Sequence, residues 1–504
     1  MVKRQDKDST GSCGNQGEAG CQPKASKIGH STAYDYCRER LSPFGGLLGL
    51  VKFFDLVKFK EIFEGFYKPP DRMPEMGHYN MVYGILLLLF IGFTRVWHFL
   101  YIQFDAMVCG IFNTVKLPYV TTYWRYVDSL GINQGKSLLM VMSALRERVW
   151  QLCELSYQEI HINIDTTVET IYGSQHGGRK GHNPKNRGKK GFRPVLCFIQ
   201  ETREYFMGKL RRGDTIGGEE VAALIRTFKK YLPACVKKVT LRGDGEFISW
   251  EAVKAARDEG FHYIFGNKRS TPPFDPARWY KVRKRDSAEY NEVMYQPAGW
   301  DAACRFVSMR IPKDTPSEGA TQIELLEDGN YTYRIFVTDL TRPAHQVIEE
   351  YDQRADCENL IGEAKREGLE AIPSRKFGNN YAYFQIVMLA YNIWRSFKML
   401  AAHGMRETER PDTTPEAACK AQEIVDNTIR IGRLKLLFIA AKVAMHSGTT
   451  EVKYSRHDSR VAGLFRFMDY LDKRRRQVRP WLSGELWPCN HLSFLGIQRA
   501  DAFG

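Results

Sequence analysis

From residue 158 onward, stretches in which every second position is apolar alternate with stretches of helical period. Residues 158 to 165 (QEIHINID) put Ile160, Ile162 and Ile164 on one strand face and Asp165 on the other. The same pattern predicts strands over 167 to 173 and 193 to 200, the latter leading into 203 to 210, then a helix over 217 to 231. Residues 236 to 244 (VKKVTLRGD) predict a further strand that ends at Asp244 in a Gly-Asp-Gly turn, followed by a helix over 248 to 258 and a strand over 262 to 266. Between 267 and 330 the segments EYNEVMYQ, ACRFVSMRI and TQIELLE alternate between prolines and acidic turns, which predicts a β-rich insertion, and YTYRIFVTDL (331 to 340) predicts an apolar strand. Strands interleaved with helices predict an α/β fold, a mixed sheet with flanking helices.

The pattern on either side is different. Residues 31 to 150 carry apolar positions at helical spacing, with breaks at Pro43, Pro69 and Pro70, and predict a helical domain. Within it, 106 to 130 predicts a helix, a turn at Leu117 and Pro118, and a second helix capped by Thr121 or Thr122 that carries Tyr123, Trp124 and Arg125. That arrangement suits a helix-turn-helix entering a DNA groove, and equally a plain packing unit. The dozen apolar residues of 82 to 93 are too few to span a bilayer and predict a buried helix. After the sheet, 377 to 402 predicts a long apolar helix lying over it, and 428 to 448 an amphipathic segment. The first thirty residues are polar, without a secretory signal, and are expected to be a disordered tail. The expected organisation is therefore a tail (1–30), a helical DNA-binding domain (31–150), a catalytic domain in two parts (151–266 and 331–450) split by the insertion (267–330), and a basic C-terminal region (451–504).

Charge narrows the partner. Seventy-three Lys and Arg against 58 Asp and Glu give a net +15 in 504 residues, a balance that favours a polyanion. Between the second and third predicted strands, HGGRKGHNPKNRGKKGF (176 to 192) holds Arg179, Lys180, Lys185, Arg187, Lys189 and Lys190 with no acid, and is expected to be an open loop along a DNA backbone. The run YLDKRRRQVRP (470 to 480) either touches DNA or keeps the tail soluble. Eleven cysteines without a CxxC pair argue against a disulfide framework or zinc knuckle, and for reduced thiols in a cytoplasm.

The densest chemistry lies in YDQRADCENLIGEAK (351 to 365). Tyr351, Arg354, Glu358 and Lys365 stand at offsets of 0, 3, 7 and 14, within about 60° of one another on a helix of 3.6 residues per turn. A carboxylate between two cations and a phenol suits a metal-bound phosphodiester, with Arg354 and Lys365 gripping phosphate oxygens. A solvated helix with charge pairs is the other reading. Tyrosine, arginine after two residues, glutamate after three more and lysine after six more is a signature that resembles bacterial insertion-sequence transposases of the DDE group.

The resemblance implies a ribonuclease-H-like catalytic domain in which two aspartates and this glutamate hold two Mg²⁺ or Mn²⁺ ions. Asp165 and Asp244 come in the implied order, with Glu246 as the competitor for the second place. It also implies cut-and-paste excision by hydrolysis at the transposon ends, then 3′-hydroxyl attack on target DNA. The partners it implies are double-stranded DNA, as terminal inverted repeats and target, and a second copy in a homodimer around paired ends, with no membrane. The implied setting is a bacterial cytoplasm, nucleoid-associated through DNA. Trp300, between Gly299 and Asp301, is expected to project and stack an unpaired base, while Trp279, among Tyr280, Lys281, Arg283, Lys284 and Arg285, is read as core packing. A domesticated DNA-binding protein without transfer activity, and a ribonuclease-H-like nuclease, are the readings from other classes.

Overall fold

A computed structural model describes residues 27–181, 183, 186–268, 270–284, 286–313, 331–408, 422–446 and 448–477. Residues 1–39 and 40–504 fall into separate units. In the first, the described residues 27–39 are exposed and without regular structure beyond one turn. Everything below concerns the second.

Its centre is an eight-stranded mixed sheet: β1 (Glu159–Thr166), β2 (Val195–Ile199), β3 (Tyr205–Lys209), β4 (Lys238–Gly243), β5 (His262–Gly266), β6 (Glu289–Tyr295), β7 (Cys304–Pro312) and β8 (Tyr331–Thr338), in the order β6-β7-β8-β5-β4-β1-β2-β3. The pairs β1/β4 and β4/β5 are parallel and the others antiparallel. Parallel neighbours need a crossover. The segment between β3 and β4 supplies one through helix Gly218–Arg226, and Trp250–Asp258 links β4 to β5, its start capped by the Ser249 hydroxyl accepting from the Ala252 amide at 3.1 Å.

Three expectations change here. The strands of the insertion do not form a sheet of their own: β6 and β7 extend the main sheet through β8. Period-two alternation says that a segment is a strand and leaves its partner open. TQIELLE and Arg285 lie outside the described residues. The strand expected over 167 to 173 shrinks to Glu169–Thr170 and leaves the main sheet, pairing with Lys190–Phe192, which also pairs with Arg179–Lys180. The expected amphipathic segment 428 to 448 likewise divides, into helix Ile429–Leu436 and strand Ala441–His446, which pairs with Arg40–Ser42 and Thr449–Tyr454.

The N-terminal helices share one buried apolar cluster with the sheet. We label α1 (Gly77–Ile91), α2 (Ile132–Leu152), α3 (Ala344–Asp352), α4 (Asp356–Ala364) and α5 (Phe377–Thr408). From Met81 to Ile91, α1 is buried on every side. Among the described residues no single helix is long and apolar enough to cross a membrane; only α1 with Val96–Ile102, bent by 88°, passes as a pair by length and composition. The long α5 covers edge strand β3. Asn392 accepts from the Tyr205 amide at 2.9 Å and donates to its carbonyl at 2.8 Å, and Gln385 donates to the Gly208 carbonyl at 2.8 Å. Polar side chains in an apolar helix thus satisfy a strand edge that would otherwise be open to pairing.

Candidate active site

Asp165 and Asp244 leave neighbouring parallel strands at the same level. The β1/β4 register pairs Ile164 with Gly243, so each aspartate is the next residue along its chain. Strands about 4.8 Å apart bring such side chains together. Asp244 opens a turn in which its side chain accepts from the Glu246 amide at 3.0 Å, and Lys268 Nζ stands 3.6 Å from its Oδ2. Glu246 points elsewhere: its Oε2 takes Arg193 Nη2 at 2.7 Å and the Thr166 hydroxyl at 3.0 Å. That engagement favours Asp244 as the carboxylate facing Asp165.

The signature segment is two helices. α3 ends at Asp352, a 3₁₀ turn spans Gln353–Ala355, α4 carries Glu358, and a π-helical turn, Lys365–Leu369, ends at Gly368 with φ of 114°. Arg354 is buried: its Nη2 lies 2.9 Å from Asp165 Oδ2 and donates to the Ile164 carbonyl at 3.2 Å. Lys365 donates to the Val168 carbonyl at 3.0 Å. Both cations therefore fasten the segment to the end of β1, where phosphate contact was expected of them. Tyr351 packs on Phe336, ring centroids 4.4 Å apart, with the Arg354 guanidinium 5.9 Å from its ring.

Burial pushes the Asp165 carboxyl up to about 6, against the pull of Arg354 and with the added repulsion of Asp244 and Glu358. Asp165 thus feels both of the other two carboxylates. Burial also opposes the charge on Arg354, but the Asp165 carboxylate, Tyr351 and Asp244 outweigh it and hold the guanidinium firmly protonated.

A family model described as transposase DDE domain group 1 matches residues 39–475. The chain belongs to this family. No curated protein matches it. Among solved structures, a cryo-EM structure of a piggyBac transposase synaptic complex with hairpin DNA is similar at 10% identity, covering 89% of this chain and 88% of that one, with a TM-score of 0.37. So slight a likeness carries nothing about fold or partner.

DDE transposases generally use divalent metal ions. In this transposase, Asp165, Asp244 and Glu358 are hard oxygen donors of the kind Mg²⁺ and Mn²⁺ take. Their mutual repulsion at Asp165 is what a divalent cation offsets. Among the described residues no three Asp, Glu, His or Cys side chains stand close enough to cage an ion as they are, and Arg354 and Lys268 sit at the two aspartates. The donor set fits the ion in chemistry.

Behind the site, His161 on β1 bridges Glu201 (Nδ1 to Oε1, 2.7 Å) and Glu350 on α3 (Nε2 to Oε1, 3.0 Å). Burial disfavours its charge, but the two carboxylates overcome that and push its pKa up to about 9. A histidine raised from an unfolded value near 6.5 adds stability below that pH and loses it as pH rises through about 9. The melting temperature of the wild type should therefore fall between pH 7 and 9 more than that of His161→Gln, which does not titrate; parallel curves would remove the bridge from the stability of α3.

The remaining predicted residues divide. Arg179, Lys180 and Lys190 are exposed on a small sheet within the expected open loop, Arg187 and Lys189 are exposed in the connection before its Lys190 strand, and Lys185 lies outside the described residues. Arg179 pairs with Asp214 at 2.6 Å, an acid from outside the run, and Lys189 stands 5.5 Å from the Tyr172 ring. The helix pair expected over 106 to 130 consists of Ala106–Ile111 and Val120–Ser129; neither Thr121 nor Thr122 caps the second, whose N-cap is Tyr119. Trp124 and Arg125 on it are exposed.

Trp300 corrects an expectation. It lies in the connection between β6 and β7, where Tyr295 pairs with Cys304, whereas Glu289 and Arg310 mark the other end of that hairpin. Phe306 on β7 lies in register through Val337 and Phe265 with Gly243, so Trp300 packs three strands away from the strand of Asp244 and four from that of Asp165. Its ring packs on Trp250 (5.5 Å) and Phe306 (6.2 Å). Trp279, assigned to the core, is only half-buried, with the Arg310 guanidinium 4.3 Å from its ring and Tyr333 at 5.8 Å. Sequence reading missed Arg193 and Lys268. Each follows or precedes a strand end, but nothing in its local pattern separates it from other surface cations.

Proposed function

We propose that this enzyme is a metal-dependent DNA transposase that excises an insertion sequence by hydrolysis at its ends and joins the freed 3′-hydroxyl to target DNA. The observation that carries the reading is the pair Asp165 and Asp244, side by side on parallel strands with Glu358 in electrostatic reach. The run β3-β2-β1-β4-β5, antiparallel for three strands and parallel for the rest, supports a ribonuclease-H-like core. Asp165, Asp244 and Glu358 would hold two Mg²⁺ ions, which supply charge neutralisation and a lowered pKa for water. Arg354 fixes the Asp165 carboxylate and ties the glutamate segment to β1; Lys365 ties the same segment at the other end of α4. Both reaction steps are in-line phosphoryl transfers, so one set of carboxylates serves both. Two ends must be held, which favours a homodimer around paired terminal repeats. Such an enzyme works in a bacterial cytoplasm, associated with the nucleoid through DNA.

The test is cleavage of DNA bearing the inverted repeats that flank the gene. Mg²⁺ or Mn²⁺ should support nicking at the repeat ends. Ca²⁺ should not, because it prefers looser, higher-coordinate oxygen shells; equal turnover in Ca²⁺, or no metal-dependent cutting, would overturn the reading. Exchanging Arg187, Lys189 and Lys190 for Gln should weaken binding alike on all sequences and flatten its salt dependence, by up to about 0.9 in slope per lost phosphate contact. An unchanged slope would leave these cations as solvated surface.

A further inference from the structure

Beside the carboxylates lies a cleft of about 570 Å³, between the end of β1, the small sheet and the π-helical turn. Thr166, Arg193, Lys365, Arg95, Asn186 and Gln175 are among its walls. Thr166 directly follows Asp165 and Lys365 belongs to the segment that carries Glu358, so the cleft is a neighbour of the site although none of the three carboxylates lines it. Its polar, threefold cationic lining is unlike that of a typical apolar small-molecule pocket. One acid, Glu370, lies on the rim, 4.0 Å from Lys365.

Arg193 is the residue whose bonding is incomplete. Only 9% exposed, it donates through Nη2 to Glu246 at 2.7 Å and through Nε to the Thr166 hydroxyl at 3.3 Å, while its Nη1 is buried without a partner. A buried guanidinium N–H left unmade is costly, and a cation held rigidly by two neighbours is preorganised for an anion. Gln175 Oε1, also on the wall, is buried and unpartnered as well. The unfilled Arg193 donor beside this site calls for an anionic acceptor, whereas the Gln175 oxygen calls for a donor.

We propose that this cleft seats the sugar–phosphate of one DNA strand next to the bond that is cut, with Arg193 Nη1 donating to a non-bridging oxygen of that neighbouring phosphodiester. Arg193 is then a positioning residue: through one side chain it fixes the strand, through Thr166 the residue after Asp165, and through Glu246 the turn after Asp244. Lys365 and Arg95 add charge across the cleft. The proposal rests on the DNA-cleavage reading and goes beyond it by naming a second phosphate and its ligand.

A linkage-by-linkage cycle tests it. End DNA is made with a single uncharged methylphosphonate at each position around the cut, and single-turnover cleavage is measured for wild type and Arg193→Gln. In the wild type, one linkage beside the cut should cost about tenfold or more when neutralised, as expected for a lost hydrogen bond to a charged group. In Arg193→Gln that linkage should cost almost nothing further, while the others keep their wild-type penalties. Arg193→Lys should restore part of the difference. Penalties identical in variant and wild type at every linkage would overturn the proposal and leave Arg193 as a brace for Glu246. If Arg193→Gln fails to fold by far-UV circular dichroism, the same cycle is run with Arg95→Gln and Lys365→Gln, and additivity in both would equally overturn it. Failure of the wild type to cut unmodified end DNA removes the transposase reading itself, a result distinct from additive penalties under normal cutting.

Discussion

Glu358→Ala, Asp244→Ala and Asp165→Asn are each expected to lower the single-turnover rate of end cleavage by roughly a thousandfold or more while end binding persists. Each removes one of the charges meant for the metal ions, whose stabilisation of the transition state is worth several kcal/mol. Glu358 is exposed on α4 and Asp244 sits in a surface turn, so alanine at either leaves the core untouched. Asp165 is different. It is the partner of the buried Arg354, and an alanine there would strand a buried cation at a cost of about 3–5 kcal/mol. Asparagine keeps the shape and a hydrogen-bond acceptor for Arg354, so lost cleavage with a retained melting temperature would be a catalytic effect. Wild-type cleavage by Asp244→Ala, combined with loss in Glu246→Ala, would transfer the second position to Glu246 and break the correspondence between strand register and chemistry.

That register was partly legible in the sequence. Ile160, Ile162 and Ile164 alternate because one face of β1 packs in the core, and the same alternation puts Asp165 on the opposite face. The Gly-Asp-Gly turn at Asp244 announces a strand end for the same local reason. What alternation cannot carry is partnership. EYNEVMYQ and ACRFVSMRI are strands as read, yet only the structure shows that they continue the main sheet and leave Trp300 packed on Trp250 and Phe306. The offsets of Tyr351, Arg354, Glu358 and Lys365 assume one regular helix, and the 3₁₀ turn at Gln353–Ala355 breaks that assumption.

Burial was the other blind spot. A sequence shows the charge of Arg354 and Lys365 and hides the neighbours they also hold, the Ile164 and Val168 carbonyls and Asp165. Conversely, Arg193 shows no pattern, and its importance emerges only from a buried, unpartnered Nη1 on a residue that lines a cleft. Contacts between residues far apart in the chain decide both cases.

Arg433→Ala is expected to cost about 3–5 kcal/mol of stability, the penalty for stranding a buried partner, and to lower the cleavage rate with less effect on DNA affinity. Arg433, on helix Ile429–Leu436, is paired with the buried Glu367 in the π-helical turn behind Glu358. The same guanidinium donates to the Phe90 carbonyl at 2.8 Å and the Leu89 carbonyl at 3.0 Å, closing the C-terminus of α1. Gly92, at φ of 110°, lies against this guanidinium, where a Cβ would meet its Nε at 3.1 Å. Removing Arg433 therefore strands a buried carboxylate, takes one donor from each of two helix-end carbonyls that keep the Trp394 indole and the Gly92 amide, and loosens the segment that aims Glu358. A second ion pair, Arg395 with Glu363, holds α4 from α5 and should keep the fold assembled at moderate temperature. The double variant Glu367→Gln with Arg433→Met, which buries no unpaired charge, should recover much of the lost melting temperature. An unchanged melting temperature in Arg433→Ala would mean that the pair contributes nothing net, and full cleavage activity in a destabilised Arg433→Ala would show that Glu358 is positioned from the β1 side alone, by Arg354 and Lys365.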